Sequence, residues 1–178
     1  QEDKQKLVDF YQNEGYIDFE IKDIKFDYLT PRKMVVRFLV HEGQQYKVGS
    51  VDLKGNEDFT TEEIMGGFVS EGKRIQPEML PGEIFSPVGL TADVDAIRKF
   101  YGSRGYVDTW VRPIKIPNTE TGTMDMVYEI RDEDKGKAFI EKIEIQGNTK
   151  TKDKVLRREL AVSPGETFDM VRVDISKS

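Results

Sequence analysis

A stretch of sixteen residues occurs twice in this chain, and this repetition constrains the fold more than any other feature. Residues 3–18 and 93–108 align without a gap at an offset of 90 residues. The matching positions include Phe10-Tyr11 with Phe100-Tyr101, Gly15-Tyr16 with Gly105-Tyr106, and Asp18 with Asp108. Similarity at a fixed spacing indicates a chain built from consecutive copies of one structural repeat.

Each copy predicts an amphipathic helix that ends at a glycine and is followed by a strand. Leu90, Val94, Ile97 and Tyr101 lie at i, i+4, i+7 and i+11, which places them on one face of a helix. Gly105 then supplies the left-handed residue that commonly ends a helix. The aromatic and β-branched residues after it are typical of a strand.

Composition excludes several classes of function. The chain has 178 residues, a net charge of −6, and no cysteine, so disulfides, thiolate zinc sites and cysteine nucleophiles are excluded. The mixed charge pattern disfavours binding to nucleic acid or to an anionic membrane. The sequence contains no apolar run approaching the roughly 18 residues of a membrane helix.

The first strand predicts a β-bulge. Its apolar residues alternate from Phe19 to Tyr28, but their phase slips by one residue at Lys22-Asp23. Bulges produce such slips and are concentrated on edge strands. A turn at 30–32 and a second strand over 34–40 complete a predicted hairpin.

A new repeat begins with a short strand over 48–53, which ends at a glycine turn. Thr60 and Glu63 have the spacing of a capping box, so we predict a short helix after Thr60. The prolines and glycines between Ser70 and Val88 predict a long loop. Thr91 is then expected to cap a second helix that runs to about residue 104.

The strand predicted over 107–116 contains Pro113, which cannot donate to a sheet ladder. This strand is therefore expected at a sheet edge. A hairpin loop over 118–122 leads to a strand with one buried face. The residues of that face are Met124, Met126, Tyr128 and Ile130.

The pattern then restarts, with a strand expected at Ile143–Ile145 and a helix at about 151–160. The repeat therefore has the order β-α-α-β-β, and the fold class is α+β, with two helices on one face of a three-stranded mixed sheet. We assign residues 1–42 to the C-terminal half of one repeat, 43–135 to a complete repeat, and 136–178 to the N-terminal part of a further repeat.

These features resemble the POTRA (polypeptide-transport-associated) domain, whose tandem arrays precede the barrel of BamA-type outer-membrane assembly proteins. The resemblance is carried by the order of elements and by three recurring motifs. These are Gly55-Asn56 and Gly147-Asn148 after the first strand, Pro-Gly-Glu-x-Phe at 81–85 and 164–168, and Phe-Tyr-x₃-Gly-Tyr-x-Asp at 10–18 and 100–108.

The resemblance implies a periplasmic docking module that binds unfolded outer-membrane proteins and accessory assembly lipoproteins, with a barrel expected downstream. No nucleic acid, cofactor, metal or membrane span is expected in this part of the chain. Two alternative functions stay open. The chain could belong to the POTRA array of a transporter that secretes a partner polypeptide, or to a structural scaffold of a division-type membrane protein.

The two edge strands are the candidate polypeptide-binding sites, because an open edge offers amides and carbonyls to an extended peptide. The candidate residues are Ile21, Lys22, Ile24, Lys25, Phe26, Trp110, Val111, Arg112, Ile114, Lys115 and Ile116. The alternative is that the bulge, the proline and the lysines protect these edges against aggregation.

An enzyme is not expected. Acidic pairs such as Asp93 and Asp95 are interpreted as residues at a helix start, where carboxylates interact favourably with the helix dipole. The single histidine, His41, is interpreted as a solvated strand end. The sequence shows no nucleophile elbow, phosphate-binding glycine loop or metal-ligand cluster.

Overall fold

The computed structural model describes residues 2–70, 72–132 and 136–175. The elements, in chain order, are α1 (Glu2–Asn13), β1 (Glu20–Thr30), β2 (Lys33–His41), β3 (Lys47–Lys54), α2 (Thr61–Gly66), β4 (Phe68–Ser70), β5 (Lys73–Ile75), α3 (Pro87–Gly102), β6 (Thr109–Asn118), β7 (Thr123–Asp132), α4 (Asp153–Glu159) and α5 (Met170–Ile175). Among these described helices, none has the length and apolarity needed to cross a bilayer.

The contacts of the chain divide it into two compact units. The first comprises Gln1–Asp52, Glu78–Ala92 and Pro113–Val127, and the second comprises Leu53–Pro77, Asp93–Arg112 and Tyr128–Ser178. The division passes through the predicted complete repeat, so each compact unit contains the end of one predicted repeat and the start of the next.

In the first compact unit, α1 leads into the antiparallel hairpin β1-β2. Tyr11 of the helix stacks on Phe19 with ring centroids 4.0 Å apart, and Phe19 is buried. The pairing of β1 with β2 shifts its register between Ile21 and Asp23. The predicted bulge at Lys22-Asp23 is therefore confirmed.

In the second compact unit, an aromatic cluster forms around Phe59. Its ring makes edge contacts with Phe100, Tyr101 and Tyr106, at centroid distances of 5.2, 5.2 and 5.6 Å. Arg104 lies over the ring of Phe100 at 3.6 Å, which adds a cation–π contact. Tyr101 and Tyr106 of the helix-end motif are therefore buried in the core.

The α2 helix begins as its sequence predicts. Thr60 Oγ1 accepts a hydrogen bond from Glu63 N at 3.2 Å, and Glu63 Oε2 accepts one from Thr60 N at 2.8 Å. This reciprocal pair satisfies two backbone donors at the helix start. The capping box and the shortness of the helix are both confirmed.

The three-stranded mixed sheet has the order β3-β7-β6, so β7 is central and β6 lies at an edge. The predicted inner face of β7 is buried, with Met126 and Tyr128 each 0% exposed. Val127, on the other face, is also buried at 8% exposure. The Tyr128 hydroxyl donates to Asp93 Oδ2 at 2.7 Å.

The start of the second helix differs from the prediction. Thr91 does not cap α3, because the helix begins at Pro87, and the Thr91 hydroxyl donates to the Pro87 carbonyl one turn earlier. Ser86 Oγ accepts from the Gly89 amide at 3.2 Å and is the cap. Serine is a preferred N-cap residue, and proline is favoured at the first helical position, so Ser86-Pro87 is a helix-start signal. This signal was missed in the sequence-based prediction.

The early start of α3 also corrects the interpretation of Asp93. This carboxylate lies within the helix rather than at its start, and its residue is 1% exposed. Its hydrogen bond from Tyr128 replaces the proposed interaction with the helix dipole. Asp95, two residues on, is exposed.

The expected loop from Ser70 to Val88 is partly wrong. Its first residues form the small antiparallel hairpin β4-β5, in which Val69 pairs with Arg74. Arg74 also donates through Nε and Nη2 to the Gly66 carbonyl, at 3.0 and 2.7 Å. These bonds tie the hairpin to the end of α2 and order residues that sequence composition alone assigns to a loop.

The strand expected at Ile143–Ile145 is also wrong, because residues 140–148 are not in a strand. The equivalent strand β3 pairs with β7. Among the described residues, no strand pairs with 143–145 in the same way, and a strand needs that ladder for its backbone groups. The helix predicted after it is present as α4.

Candidate functional site

The first candidate edge is β1. Within the described part of the chain, β1 pairs only with β2, and its other side is open. Lys22, Lys25 and Phe26 are exposed, whereas Ile21 and Ile24 are half-buried. A depression of about 320 Å³ lies at the bulge and is lined by Lys4, Ile21, Lys22, Asp23, Ile24 and Phe26.

Asp23 modifies the edge at the bulge. The amide of Ile24 donates to Asp23 Oδ1 at 2.8 Å, so this backbone donor is already occupied by a neighbouring side chain. An incoming strand that uses the same amide must displace the carboxylate. Asp23 was not among the predicted site residues, although the phase slip in the sequence falls beside it.

The second candidate edge is β6. Trp110 is 47% exposed, and the side chains of Arg112, Ile114, Lys115 and Ile116 are also exposed. Val111 differs, because its side chain is buried at 6% exposure. The side chain of Val111 is therefore not accessible from the surface of the sheet.

A charged side chain of the neighbouring strand lies beside Trp110. Arg131 of β7 lies 5.8 Å from the centre of the Trp110 ring. The same guanidinium donates to Glu129 at 2.7 Å, and this hydrogen bond lowers the pKa of Glu129 below its usual value. Arg131 was also missed from the sequence, since its contact with the tryptophan depends on strand pairing.

The two edges match each other position by position at the 90-residue offset. Both present a cation, an interrupting residue, an isoleucine, a lysine and an apolar residue, in that order. The matched pairs are Lys22 with Arg112, Asp23 with Pro113, Ile24 with Ile114, Lys25 with Lys115, and Phe26 with Ile116. The interruption therefore falls at the same place on both edges, once as a bulge and once as a proline.

The described residues contain no cluster of three or more His, Cys, Asp or Glu side chains that could hold a metal ion. His41 lies at the end of β2 and is exposed, as predicted. At the two candidate edges, the described residues bring together unpaired strand backbone, apolar side chains and cationic side chains.

This arrangement defines a class of protein: a tandem α+β repeat module in which helices and a mixed three-stranded sheet alternate along the chain. A family model described as "POTRA: Surface antigen variable number repeat" matches residues 46–132 and 138–178. The chain belongs to the POTRA family.

Similar proteins carry names from outer-membrane assembly. The chain is 32% identical over 177 residues to the outer membrane protein assembly factor BamA of Neisseria meningitidis, covering 99% of this chain and 21% of that protein. It is 27% identical over 176 residues to BamA of Buchnera aphidicola, covering 98% and 27% of the two chains. The chain thus spans between 21% and 27% of the length of these relatives.

The fold is also found in a solved structure. The crystal structure of Haemophilus influenzae BamA POTRA3-5 superposes with a TM-score of 0.64 at 21% identity, covering 99% of this chain and 66% of that chain. At this identity, the superposition shows the fold.

Proposed function

We propose that this chain is the periplasmic, non-catalytic docking module of an outer-membrane β-barrel assembly protein. It binds unfolded segments of outer-membrane proteins, and accessory assembly lipoproteins, by adding a peptide strand to the open edges of β1 and β6. The observation that carries this proposal is the presence of two edges with the same order of side-chain types at five matched positions. The names of the relatives support the cellular role.

Strand addition suits a partner that is unfolded and varied in sequence. Backbone hydrogen bonds supply most of the affinity, and alternate side chains give a modest preference. The exposed Phe26, Trp110 and Ile116 offer apolar contact beside each edge. A partner strand destined for a barrel has alternating apolar residues that can meet them.

The same proposal assigns residues 1–42 to the C-terminal half of a repeat, followed by repeats over 43–135 and 136–178. Exposure at equivalent positions supports the first boundary. Met126 is 0% exposed, whereas Val36, its counterpart at the 90-residue offset, is 42% exposed. Phe38 is likewise 49% exposed, against 0% for Tyr128. The side chains of the hairpin β1-β2 at these positions are thus more exposed than their counterparts in β7.

Backbone amide exchange tests strand addition directly. The probe is a synthetic peptide of about ten residues that alternates leucine and threonine. We expect it to slow amide exchange in β1 and β6 and to leave the central β7 unchanged. A peptide with the same side chains but alternate N-methylated amides cannot pair with an edge, and we expect it to have no effect.

Two variants test the interruptions. Asp23→Ala frees the Ile24 amide, and one additional hydrogen bond of about 0.5–1.5 kcal/mol raises peptide affinity about two- to twelvefold. Pro113→Ala restores a donor on β6 and has the same expected direction. Glu20→Ala removes an exposed carboxylate from the same strand as Asp23 and is the matched control, with unchanged affinity.

Unchanged exchange in both edges of the wild-type chain would contradict the proposal. Self-association of Asp23→Ala and Pro113→Ala without any gain in peptide binding would show that the interruptions protect the edges. Analytical ultracentrifugation of the same samples separates this outcome from peptide binding.

A further inference from the structure

The first compact unit contains a connection between the end of one repeat and the start of the next. It begins at the glycine that follows α1 and involves the first residues of β3 and the Pro-Gly-Glu-x-Phe motif. Four backbone hydrogen bonds form it. Tyr46 N donates to Gly15 O (2.8 Å) and joins the two repeats. The other three lie within the following repeat: Phe85 N to Tyr46 O (3.0 Å), Val48 N to Glu83 O (2.8 Å) and Gly82 N to Val48 O (2.9 Å).

The second compact unit contains the same connection at the next pair of repeats. Its four bonds are Ala138 N to Gly105 O (2.9 Å), Phe168 N to Ala138 O (2.8 Å), Ile140 N to Glu166 O (2.9 Å) and Gly165 N to Ile140 O (2.7 Å). Isolated β-bridges also occur at equivalent positions, Lys47 with Ile84 and Phe139 with Thr167. Two different stretches of sequence thus build one hydrogen-bonded geometry.

We infer that the Gly-Tyr motif of one repeat and the Pro-Gly-Glu-x-Phe motif of the next are the two halves of a single inter-repeat connector. The first residues of the following repeat lie between them and bond to both. The connector therefore fixes the angle between consecutive repeats through main-chain atoms. Its partner surface is a further copy of the same repeat, and it works independently of peptide binding at the edges.

Glycine is required at the first half of the connector for two reasons. Gly15 and Gly105 have φ angles of +89° and +97°, which residues with a side chain rarely adopt. A Cβ at Gly15 would lie 2.8 Å from the Tyr46 carbonyl oxygen, and a Cβ at Gly105 would lie 2.6 Å from Thr167 Cγ2. Both contacts are closer than packing allows, and both involve the following repeat.

The two connections differ in their side chains. At the first, Asn13 Oδ1 accepts from Ser86 Oγ at 2.9 Å, and Gln45 Nε2 donates to the Glu14 carbonyl at 2.8 Å. At the second, Ser103 occupies the position of Asn13, and its hydroxyl donates to Phe100 O within its own helix. The shared element is therefore the backbone pattern, which identifies it as the connector.

Distance measurements between spin labels test this inference on the 178-residue chain. The absence of native cysteine allows cysteine pairs to be introduced without background. Labels at the exposed positions Lys25 and Glu120 report the first connection. Labels at Glu62 and Lys154, also exposed, report the second. We expect one narrow distance distribution for each pair in the wild-type background.

Alanine substitutions then separate the two connections. Gly15→Ala is expected to shift or broaden only the first distribution, and Gly105→Ala only the second. Gly72→Ala is the matched control, since Gly72 has a φ of +75° but no atom within 4 Å of an added Cβ. It carries the same kind of backbone strain without the clash, and both distributions should stay as in the wild type.

A compensating substitution makes the test specific. Thr167→Ser removes the Cγ2 atom that an alanine at Gly105 would strike, so adding it to Gly105→Ala should return the second distribution towards the wild type. Broad distributions in the wild-type chain would overturn the inference. So would a double variant that is as perturbed as Gly105→Ala alone, because the clash would then not be the cause.

Amide exchange supplies a measurement that needs no variant. The amides of Tyr46 and Ala138 should exchange as slowly as those of the central strand β7. Exchange at the rate of an unstructured chain would show that the connector is open in solution and would refute the inference.

Discussion

The buried hydrogen bond between Tyr128 and Asp93 allows a quantitative test of the core in the second compact unit. The two residues are 0% and 1% exposed, and their oxygens are 2.7 Å apart. Tyr128→Phe removes the donor and keeps the ring. A hydrogen bond to a charged acceptor contributes about 1.5–3 kcal/mol, so we expect this loss in the free energy of unfolding at neutral pH.

The loss should depend on pH in a defined direction. Burial, followed by the hydrogen bond to Asp93, raises the pKa of Tyr128 above its ordinary value. The folded protein therefore holds this proton to higher pH than the unfolded chain, whose tyrosine titrates at about 10. The stabilisation is fully present below that pH and is lost as pH rises further. At about pH 11, linkage reduces the difference between wild type and Tyr128→Phe by about 1.4 kcal/mol.

Urea unfolding followed by tryptophan fluorescence measures this difference, because Trp110 is the single tryptophan and belongs to the same compact unit. The other tyrosines titrate in both proteins and cancel. Tyr28→Phe, at a position 71% exposed, is the control and should change stability by less than about 0.5 kcal/mol. A difference for Tyr128→Phe that stays constant from neutral to alkaline pH would refute the reasoning.

Three further predictions concern stability. Met126→Ala should cost about 2–5 kcal/mol by urea unfolding, whereas Val36→Ala, at the equivalent exposed position, should cost less than about 1 kcal/mol; equal losses would contradict the burial difference. Thr60→Ala removes the α2 cap and should cost about 0.5–2 kcal/mol in the same assay, with Thr60→Ser as the control that retains it. Gly55→Ala places a Cβ against the Ile130 carbonyl at a φ of +80°, so it should cost more than about 1–2 kcal/mol, and a neutral result would exclude the clash.

Most elements could be predicted from local signals. The bulge at Lys22-Asp23 and the capping box at Thr60 depend on residues that are adjacent or one helical turn apart, and both are confirmed. The edge position of β6 could be predicted because Pro113 lacks a donor. Fold class followed from the order of such elements and from their recurrence.

The missed features depend on contacts between distant parts of the chain. The β4-β5 hairpin is stabilised by the hydrogen bond from Arg74 to the Gly66 carbonyl, and no periodic pattern in the sequence predicts such a bond. The contact of Arg131 with Trp110 requires the pairing of β6 with β7. At the start of α3 the local signal at Ser86 was present, but the later threonine was interpreted as the cap.

The sequence repetition identified which motifs recur, but only the hydrogen bonds show what they do. Gly-Tyr looks like a helix stop, and Pro-Gly-Glu-x-Phe looks like a loop, when each is considered alone. In the structure, the carbonyl of the glycine and the amide of the phenylalanine bond to the same residue, Tyr46 in one case and Ala138 in the other. The Gly-Tyr motif can therefore recur because its carbonyl bonds to the first residues of the following segment.

In the proposed binding mode, the matched interruptions on β1 and β6 would both limit self-association and permit peptide binding. An uninterrupted edge with Phe26 or Ile116 beside it would pair readily with another copy of the chain. Asp23 occupies the amide of Ile24, and Pro113 has no amide hydrogen of its own, so each edge lacks one donor at neighbouring matched positions, but the flanking backbone of the strand retains its groups. A partner that pairs with a short stretch on either side loses little, whereas a long and continuous ladder is prevented. One device can therefore keep the edge soluble and leave it open to transient, extended partners.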